Sequence, residues 1–441
     1  MKKEDFPKVL VVTTNAWRDN TGINTLIEFF KCWNPNRIAQ IYTKATFPKT
    51  TVCNKFFSIS ENAVMRSVMN RSITTGKEVH NETVDSIMDN PSAKKEQKIY
   101  SSYKGKVREL LSICREIVWK YGKWKTAELD YFIDEFNADV LFIPIYPTIY
   151  MGRIQKYIIS RTQKPVVSYL ANDNYTYKSV HKNPISLIHR HILRKYVKYI
   201  IEHSTKLMVI APKQKEEYDR IFCTDSVVMT KGIDFNPFES YQAGNPIKMV
   251  YTGKLIIGRW KSLAAIAEAF GGINRDGIKI TLDIYTTDSL TDEQTKLLNR
   301  NGCSVKGALT LEQVKAVQKE ADILVFVESL EKKFRNTARL SFSTKITDYL
   351  RSGKCIFAIG DKDIAPIDYF NRYDSAVTAI SYEQISEKLT ELVNAPDLVL
   401  EYAKKAYDCG VEHHERGRMD SILIHTIEQA NLKQRGKGNG K

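Results

Sequence analysis

The feature that most constrains the fold is a strand–helix–strand unit between residues 322 and 360. An apolar run of strand length, 322–327, precedes a segment with apolar residues at helical spacing, and a second apolar run follows at 355–359. Ser341, Ser343 and Thr344 can cap the helix start, and Gly353 supplies a left-handed stop. Free N–H groups and the positive dipole end favour an anion at such a start. The unit predicts a phosphate-binding helix in a βαβ fold, suited to a nucleotide or nucleotide sugar.

Two charged residues of this helix are candidate ligand contacts. Lys345 lies in the first turn, where the helix dipole disfavours a cation, and this position favours a phosphate contact over mere surface decoration. Asp348 lies one turn further in, where a carboxylate would repel phosphate but can accept the two hydroxyls of a ribose. Spacing alone equally allows Asp348 to be an exposed carboxylate that pairs with Arg351 or Ser352.

Strand-like and amphipathic segments alternate along the whole chain, which is typical of an α/β fold with largely parallel sheets. A length of 441 residues predicts two domains, and residues 234–246, with two prolines and a glycine, form the predicted linker. We expect domains at 1–245 and 246–404, and we interpret the polar run 70–98 as a loop or mobile excursion. The predicted strands are 8–13, 139–145, 165–170, 206–210, 226–229, 247–252, 278–285, 322–327, 354–359 and 375–380.

The residues just after each strand are the informative ones, because a ligand of an open parallel sheet lies beyond the carboxyl ends of the strands. Gly22 and Asn24 lie in a turn after the first strand. The glycine either allows another group to approach the backbone closely or is an ordinary turn residue. After the strand 247–252 comes a loop with three cations, Lys254, Arg259 and Lys261. A guanidinium at that position can bind a diphosphate bidentately, and a surface arginine at a turn is the alternative.

Two carboxylates are candidates for a catalytic role. Glu328 ends a buried strand, so it either pairs with Arg335 or Arg339 or faces a cleft. Asp173 follows another strand and is a candidate base or acceptor contact, while an Asx turn is the more common explanation.

The net charge of +15 and the pI near 9.2 indicate an anionic partner: nucleic acid, an anionic membrane face or a phosphorylated small molecule. The basic stretches 94–125 and 190–198 suit a helix on anionic lipid with Trp119, Tyr121 and Trp124 at the interface, or equally a solvated basic face over a packed helix. No RNP-like, helix-turn-helix or finger motif occurs, so we expect no nucleic-acid partner.

Membrane spans, disulfides and metals are not expected. No run of eighteen apolar residues occurs, and the charged start before the first strand does not have the pattern of a secretory signal, so we expect a cytoplasmic protein. The seven cysteines are scattered without a C-x-x-C motif, and the eight histidines have no ligand spacing.

Together these motifs resemble the GT-B glycosyltransferases, and within them the family-four-like enzymes that build bacterial capsular and other surface polysaccharides. The resemblance covers nearly the whole chain and rests on five segments in family order. They are Tyr-Thr-Gly-Lys with Arg-Trp-Lys-Ser-Leu at 251–263, the helix 343–354, the segment 209–218, the Lys-Gly-Ile-Asp turn at 231–234 and the acidic turn at 169–175.

The resemblance implies two Rossmann-like domains that face each other across a cleft. It implies a nucleoside-diphosphate-sugar donor in the second domain, a glycan or lipid-linked acceptor in the first, and no metal or other cofactor. It also implies that residues 405–441 hold a helix that crosses back, followed by a basic tail. The positive surface fits peripheral contact with the inner face of the cytoplasmic membrane, and retention of configuration is the family expectation.

The resemblance also assigns roles to residues. Gly22 and Asn24 would face the acceptor, Asp348 would bind the ribose, and Asp173 and Glu328 remain the catalytic candidates. The usual carboxylate eight positions before Asp348 is replaced by Leu340, and Glu328 or Glu331 could take its place. A non-catalytic protein that binds a nucleotide sugar or polyanion is the alternative. The diphosphate would be bound by Lys254, Arg259, Lys261, Ser343, Thr344 and Lys345.

Overall fold

The computed structural model describes residues 3–19, 25–81, 106–180 and 183–438. These residues form two α/β domains, each built on a sheet of largely parallel strands. The predicted α/β class with two Rossmann-like domains is therefore confirmed. Strands near the centre of both sheets are buried at every position, because helices cover the two faces of each sheet.

The first sheet has the order β4-β3-β2-β1-β5-β6-β7-β8 among the described residues, and only the β3–β4 pair is antiparallel. The order reverses between β1 and β5, which defines the switch point of this sheet. Its strands are β1 (Val9–Val12), β2 (Ile38–Tyr42), β3 (Lys55–Ile59), β4 (Gly76–Val79), β5 (Val140–Pro144), β6 (Val166–Leu170), β7 (Lys206–Val209) and β8 (Val227–Val228).

Helices of the first domain begin at well-defined caps. The Thr126 side chain accepts the Leu129 amide at the start of α4, and Asn183 accepts the Ser186 amide at the start of α6. The helices described in this domain are α1 (Thr25–Phe30), α2 (Glu61–Ser67), α3 (Lys106–Tyr121), α4 (Ala127–Phe136), α5 (Ile149–Thr162), α6 (Pro184–Glu202) and α7 (Pro212–Phe222).

The second sheet has the order β11-β10-β9-β12-β13-β14, with all neighbours parallel. This is the doubly wound order of a nucleotide-binding fold, with its switch point between β9 and β12. The strands are β9 (Ile247–Thr252), β10 (Ile280–Tyr285), β11 (Cys303–Gly307), β12 (Ile323–Val327), β13 (Cys355–Ile359) and β14 (Val377–Ala379). The helices are α8 (Arg259–Ile273), α9 (Asp292–Leu298), α10 (Leu311–Glu320), α11 (Lys332–Ala338), α12 (Thr344–Arg351), α13 (Ala365–Arg372), α14 (Tyr382–Asn394) and α15 (Asp397–His414).

A final helix, α16 (Arg416–Gly438), packs on α1, β5 and β6 of the first domain. At its start the Arg416 guanidinium donates to Asp234, with both Nε–O distances below 3 Å. His414 lies just before it, buried between the hydroxyls of Thr230 and Tyr369. The chain after the second sheet thus returns to the first domain and ties the two together.

The predicted strands are all present, several of them one or two residues shorter. Strands β2, β3, β4 and β11 were not expected from the sequence. The interpretation of residues 70–98 as a loop is wrong for Gly76–Val79, which pairs antiparallel with β3, and residues 82–98 lie outside the described part of the chain.

Trp119 and Trp124 are core residues, so of the two alternatives left open by the sequence, the one that places these two side chains at a membrane interface is wrong. The Trp119 indole is fully buried, stacks on Tyr150 with ring centroids 4.8 Å apart, and donates to Glu61 over 3.1 Å. The Trp124 indole donates to the Trp119 carbonyl over 2.9 Å. An indole that is enclosed and hydrogen-bonded in this way stabilises the domain core. Tyr121, the third aromatic residue, is exposed.

Candidate functional site

The candidate site lies at the switch point of the second sheet, where three segments meet. They are the loop after β9, the residues after β12 and the start of α12. Gly258 is the residue that caps the start of α8, with a left-handed φ of 74°, and a Cβ there would lie 2.5 Å from Ser329 Oγ. Only glycine allows this close approach between the first two segments.

Arg259 and Glu328 form a bidentate ion pair at the centre of the site. Arg259 Nε donates to Oε2 over 3.1 Å and Nη2 donates to Oε1 over 2.7 Å. Arg259 is the first residue of α8 and Glu328 follows β12. Within the described residues, Nη1 of Arg259 makes no hydrogen bond, so it can donate to an anion.

This pairing corrects the expected partners of Glu328. Arg335 lies near Asp361 and Asp363 instead, and Arg339 contacts the first domain. Glu328 is nearly buried, and its two oxygens are directed to one guanidinium. This geometry orients Arg259 and leaves Glu328 a poor candidate for a general base.

Lys345 is the second cation of the site. Its ammonium donates to the Thr252 carbonyl over 2.7 Å at the end of β9, and it lies close to Gly253. Burial, followed by repulsion from Arg259, lowers the pKa of Lys345 to about 8. A lysine with this environment favours an anionic ligand, because the ligand's charge offsets both effects.

Lys254 and Lys261 lie further from the centre. Lys254 is exposed, and its carbonyl accepts the Tyr251 hydroxyl over 2.7 Å. Lys261 pairs with Glu331 over 3.0 Å, and Glu331 also pairs with Lys333. The Lys261 ammonium is therefore already partnered.

The start of α12 has the geometry expected of an anion-binding helix start. Ser343 is the cap, and its hydroxyl accepts the Lys345 amide over 3.3 Å. Thr344 is the first helical residue and is half-buried. Leu340, where the family's second carboxylate was expected, is buried in an apolar cluster with residues of the first domain. An ionised carboxylate would be costly in that cluster.

Asp348 faces the junction of the domains and is partly exposed. Its Oδ1 lies 3.1 Å from the Lys231 ammonium and 3.9 Å from Arg351. Lys231 belongs to the 231–234 turn, and its partnership with Asp348 was not expected from the sequence. The remaining carboxylate oxygen, Oδ2, has no hydrogen bond within the described residues and is the atom available to a ribose hydroxyl.

Asp173 is enclosed by donors from both domains. It accepts the Thr176 amide over 2.9 Å, the Tyr218 hydroxyl over 3.0 Å and Arg339 Nη2 over 2.8 Å. Burial alone would raise the pKa of this carboxyl, but the bonds from Thr176 and the charge of Arg339 hold it below its usual value. These contacts favour a structural carboxylate over a catalytic base.

Arg339, which brings the second domain to Asp173, also binds Glu217 of α7 through Nη1 and Nη2. Its guanidinium is nearly buried, so the three side chains form an interdomain ion cluster. The sequence suggested Arg339 as a possible partner of Glu328 and had no signal for partners more than 100 residues away.

Opposite the start of α12, a pocket of about 490 Å³ lies at the strand ends of the first sheet. The Ser341 hydroxyl donates to Asn172 Oδ1 over 3.1 Å at the edge of this pocket, which brings the two sides of the cleft together. Gly22 and Asn24, expected on the acceptor side, lie outside the described residues. The pocket is lined in part by Thr13, Asn15, Thr46, Tyr146, Tyr169 and Asn172.

Across the ranges described, no helix is both long and apolar enough to cross a membrane. Within the same ranges, no group of three or more His, Cys, Asp or Glu side chains is arranged to hold a metal ion.

Comparison with known proteins shows the fold. No protein-family model and no curated protein matches the chain. It is similar to HepE from Anabaena in complex with UDP and glucose, with a TM-score of 0.58 and 10% identity over 96% of this chain and 100% of that chain. TarM from S. aureus gives 0.57 and 10% over 95% and 98%, and a glycosyltransferase from Rickettsia africae gives 0.56 and 12% over 96% and 98%. At these identities the likeness establishes the two-domain GT-B fold.

Proposed function

We propose that this chain is a glycosyltransferase that moves a sugar from a nucleoside-diphosphate sugar to a glycan or lipid-linked acceptor. The observation that carries the proposal is the convergence of Arg259, Lys345 and the capped start of α12 at the switch point of the second sheet. Two cations there share one carboxylate, Glu328, so the site has positive charge in excess. A diphosphate is the ligand that this arrangement fits best.

The proposed chemistry is stabilisation of the leaving diphosphate. Negative charge grows on that group as the bond to the sugar breaks, and fixed donors aimed at it lower the barrier. Arg259 would donate through Nη1, Lys345 would act as a point charge, and Asp348 would bind the ribose. The acceptor hydroxyl would enter from the pocket beside Asn172, and closure of the cleft would align it with the sugar.

Finer features of the proposal follow from the same site and the resemblance. The cationic groups supply the charge stabilisation, so we propose transfer of a hexose without a metal ion, with retention of configuration. We place the reaction in surface polysaccharide synthesis at the inner face of the cytoplasmic membrane. Support comes from proteins of this fold: HepE has been solved with UDP-glucose, and a TarM variant with fondaparinux, α-GlcNAc-glycerol and UDP.

A non-catalytic protein that binds a nucleotide sugar or another polyanion is the second candidate. One observation favours it: both carboxylates considered as catalytic, Asp173 and Glu328, are held in ion pairs with arginines. Such a protein would keep the anion site without turning over the donor.

A screen for the sugar donor, followed by an assay of donor hydrolysis and sugar transfer, distinguishes the two candidate functions. A panel of nucleotide sugars tested by thermal shift should yield one that raises the melting temperature. That donor should then be hydrolysed slowly alone and consumed faster with an acceptor, with or without EDTA. Binding without hydrolysis or transfer would favour the second candidate, and loss of transfer with EDTA that manganese restores would overturn metal independence.

A further inference from the structure

A second concavity, of about 750 Å³, opens on the first domain between helices α3, α5 and α6. We call it the helix groove. Its walls are mainly aliphatic, and several of the side chains are unusually exposed for their type. Ile117 is 51% exposed and Ile188 is 61% exposed. Ile113 and Ile192 continue the same apolar lining. A contiguous exposed apolar surface of this kind is typical of a binding site.

Polar groups without partners lie at one end of the helix groove, around the start of α5. Thr148 is the cap residue of α5, yet its buried hydroxyl makes no hydrogen bond within the described residues. One turn further, Arg153 has a buried Nη1 that is likewise without a partner there. Lys120 of α3 adds a cation to the lining. One buried acceptor beside them, Glu116 Oε2, also lacks a partner within the described residues, and the charge of Arg153 acts on this carboxylate. With Lys120 the cations outnumber that single carboxylate, so the balance favours a further acceptor, most simply an oxyanion.

Among the described residues that line the helix groove, Glu116 is the one carboxylate, and it is the group that would oppose an anion. Glu116 accepts the Ile149 amide over 3.1 Å, and burial raises the pKa of its carboxyl, so it opposes an anion less than a free carboxylate would. Arg190 donates to the Asp173 carbonyl over 2.9 Å. Burial lowers the pKa of His189, which favours its neutral form.

The helix groove adjoins the pocket at the strand ends of the first sheet. Residues 144–147, after β5, line that pocket, and residues 147–149 line the groove, with Pro147 common to both. The two concavities therefore meet at Pro147, next to Thr148 and the start of α5.

We propose that the helix groove binds the apolar chain of a lipid phosphate, with the phosphate beside Thr148 and Arg153 and the attached acceptor group in the pocket at the strand ends. The inference rests on the proposed function and specifies its acceptor as lipid-linked. Charge complementarity and the shared boundary with the pocket favour this occupant over an uncharged lipid, which would leave the Arg153 donor unpaired.

The test is equilibrium binding without any donor, so it does not depend on sugar transfer. Farnesyl phosphate, below its micellar concentration, is titrated into the full chain by calorimetry, with farnesol and inorganic phosphate as separate arms. We expect farnesyl phosphate to bind more tightly than either part alone. Ile188→Asn should weaken it by about tenfold, because a polar group replaces apolar contact with the chain. Ile278→Asn, at a position 62% exposed in the second domain, is the matched control and should change nothing.

A second variant distinguishes the contribution of the phosphate group to binding from that of the apolar lipid tail. Arg153→Gln should weaken the binding of farnesyl phosphate by about tenfold, the size of a lost charge-assisted hydrogen bond, and leave the binding of farnesol unaffected.

Equal binding of farnesol and farnesyl phosphate, or no effect of Ile188→Asn, would overturn the inference. So would a dimer in sedimentation that Ile188→Asn dissociates, because a second copy would then occupy the groove. Binding of farnesyl phosphate by a chain that transfers no sugar would refute only the proposed function, and transfer to a water-soluble glycan without such binding would refute only this inference.

Discussion

Two arginines of the second domain form buried or nearly buried ion pairs, one within that domain and one across to the first domain, and the two pairs differ in what they leave available. Arg259 meets one carboxylate, Glu328, with Lys345 nearby, and keeps a donor without a partner among the described residues. Arg339 meets two carboxylates, Asp173 and Glu217, which come from the other domain. The first cluster has one positive charge in excess. In the second, the exposed Lys178 also lies 3.5 Å from Glu217, so two carboxylates face two cations and no positive charge is in excess.

This difference in charge distinguishes a site that can bind a ligand from an ion cluster that stabilises the domain interface. A guanidinium with two buried carboxylates has no capacity for a further anion, so Arg339 holds the domains together. A guanidinium that shares its site with a second cation is electrostatically incomplete, and an anionic ligand completes it. The comparison predicts that changes to Arg259 alter catalysis, while changes to Arg339 alter stability.

The largest expected effect is on turnover. Arg259→Ala should lower kcat/KM by about 10³-fold, because a fixed donor to the leaving group is lost. Arg259→Lys should keep a charge opposite Glu328 but lose the bidentate fork, and should retain part of the activity. Initial rates with the donor found by screening measure both, and circular dichroism checks the fold. Wild-type turnover in Arg259→Ala would remove the diphosphate role from this residue.

The next effect is on the free energy of unfolding. Arg339→Ala removes the buried cation from two buried carboxylates, leaves only the exposed Lys178 beside Glu217, and should cost about 3–5 kcal/mol. Arg372→Ala is the control, because Arg372 also bridges the domains, 2.7 Å from Glu216, but is 36% exposed and should cost about 1 kcal/mol or less. Calorimetric melting of both variants makes the comparison. Equal losses would show that burial does not strengthen the Arg339 cluster.

Ribose recognition gives a smaller effect. Asp348→Asn should weaken nucleotide binding by roughly tenfold, the size of a hydrogen bond to a charged group. Titration calorimetry with UDP and GDP measures the change. Lys231→Met should not produce the same loss, because it frees Asp348 Oδ1 without removing the carboxylate. If Asp348→Asn binds UDP and GDP as tightly as the wild type, Asp348 serves only as a member of a surface ion pair.

The pKa of Lys345 predicts a pH dependence for donor binding. Below about pH 8 the ammonium is charged and affinity is full; above it the ammonium loses its proton, so affinity should fall, by about tenfold at pH 9. Unfolding does not explain this loss, because a lysine whose folded pKa is lowered adds stability as pH rises from about 8 towards its unfolded value. Lys345→Gln should bind weakly at every pH. A pH-independent affinity in the wild type would separate Lys345 from the diphosphate.

Local patterns predicted several of the strands that are buried on both faces, although β2, whose buried sequence includes Gln40, was missed. The runs that became β1, β5, β12 and β13 are apolar and buried throughout. Strand β11 (Cys303–Gly307) lies at a sheet edge, and most of its residues are half-buried or exposed, so it lacks that pattern. The short β4 pairs antiparallel at the other edge and includes two exposed charged residues.

The candidate site was predictable for a similar reason. Arg259 lies in the loop-to-helix segment after a strand, and Lys345 lies in the first turn of a helix that Ser343 caps. Both positions can be recognised from the local sequence. The partners of these residues were not predictable, because Glu328 lies 69 residues from Arg259 and Lys231 lies 117 residues from Asp348. Such pairings depend on how the sheets and domains pack. The sequence therefore predicts which side chains lie at the candidate site. Only the structure shows which of its cations already pair with a carboxylate of the protein.

The smallest expected effect concerns Lys261, which the sequence grouped with Arg259. Its ammonium lies 3.0 Å from Glu331, and this carboxylate also pairs with Lys333, so charge at that edge is already compensated. Lys261→Met should change donor affinity by less than about twofold, the range expected for an exposed pair. Calorimetric titration beside Lys345→Gln compares the two lysines directly. A loss as large as that of Lys345→Gln would mean that Lys261 leaves Glu331 for the ligand, and the ligand site would then extend along α8 beyond the switch point.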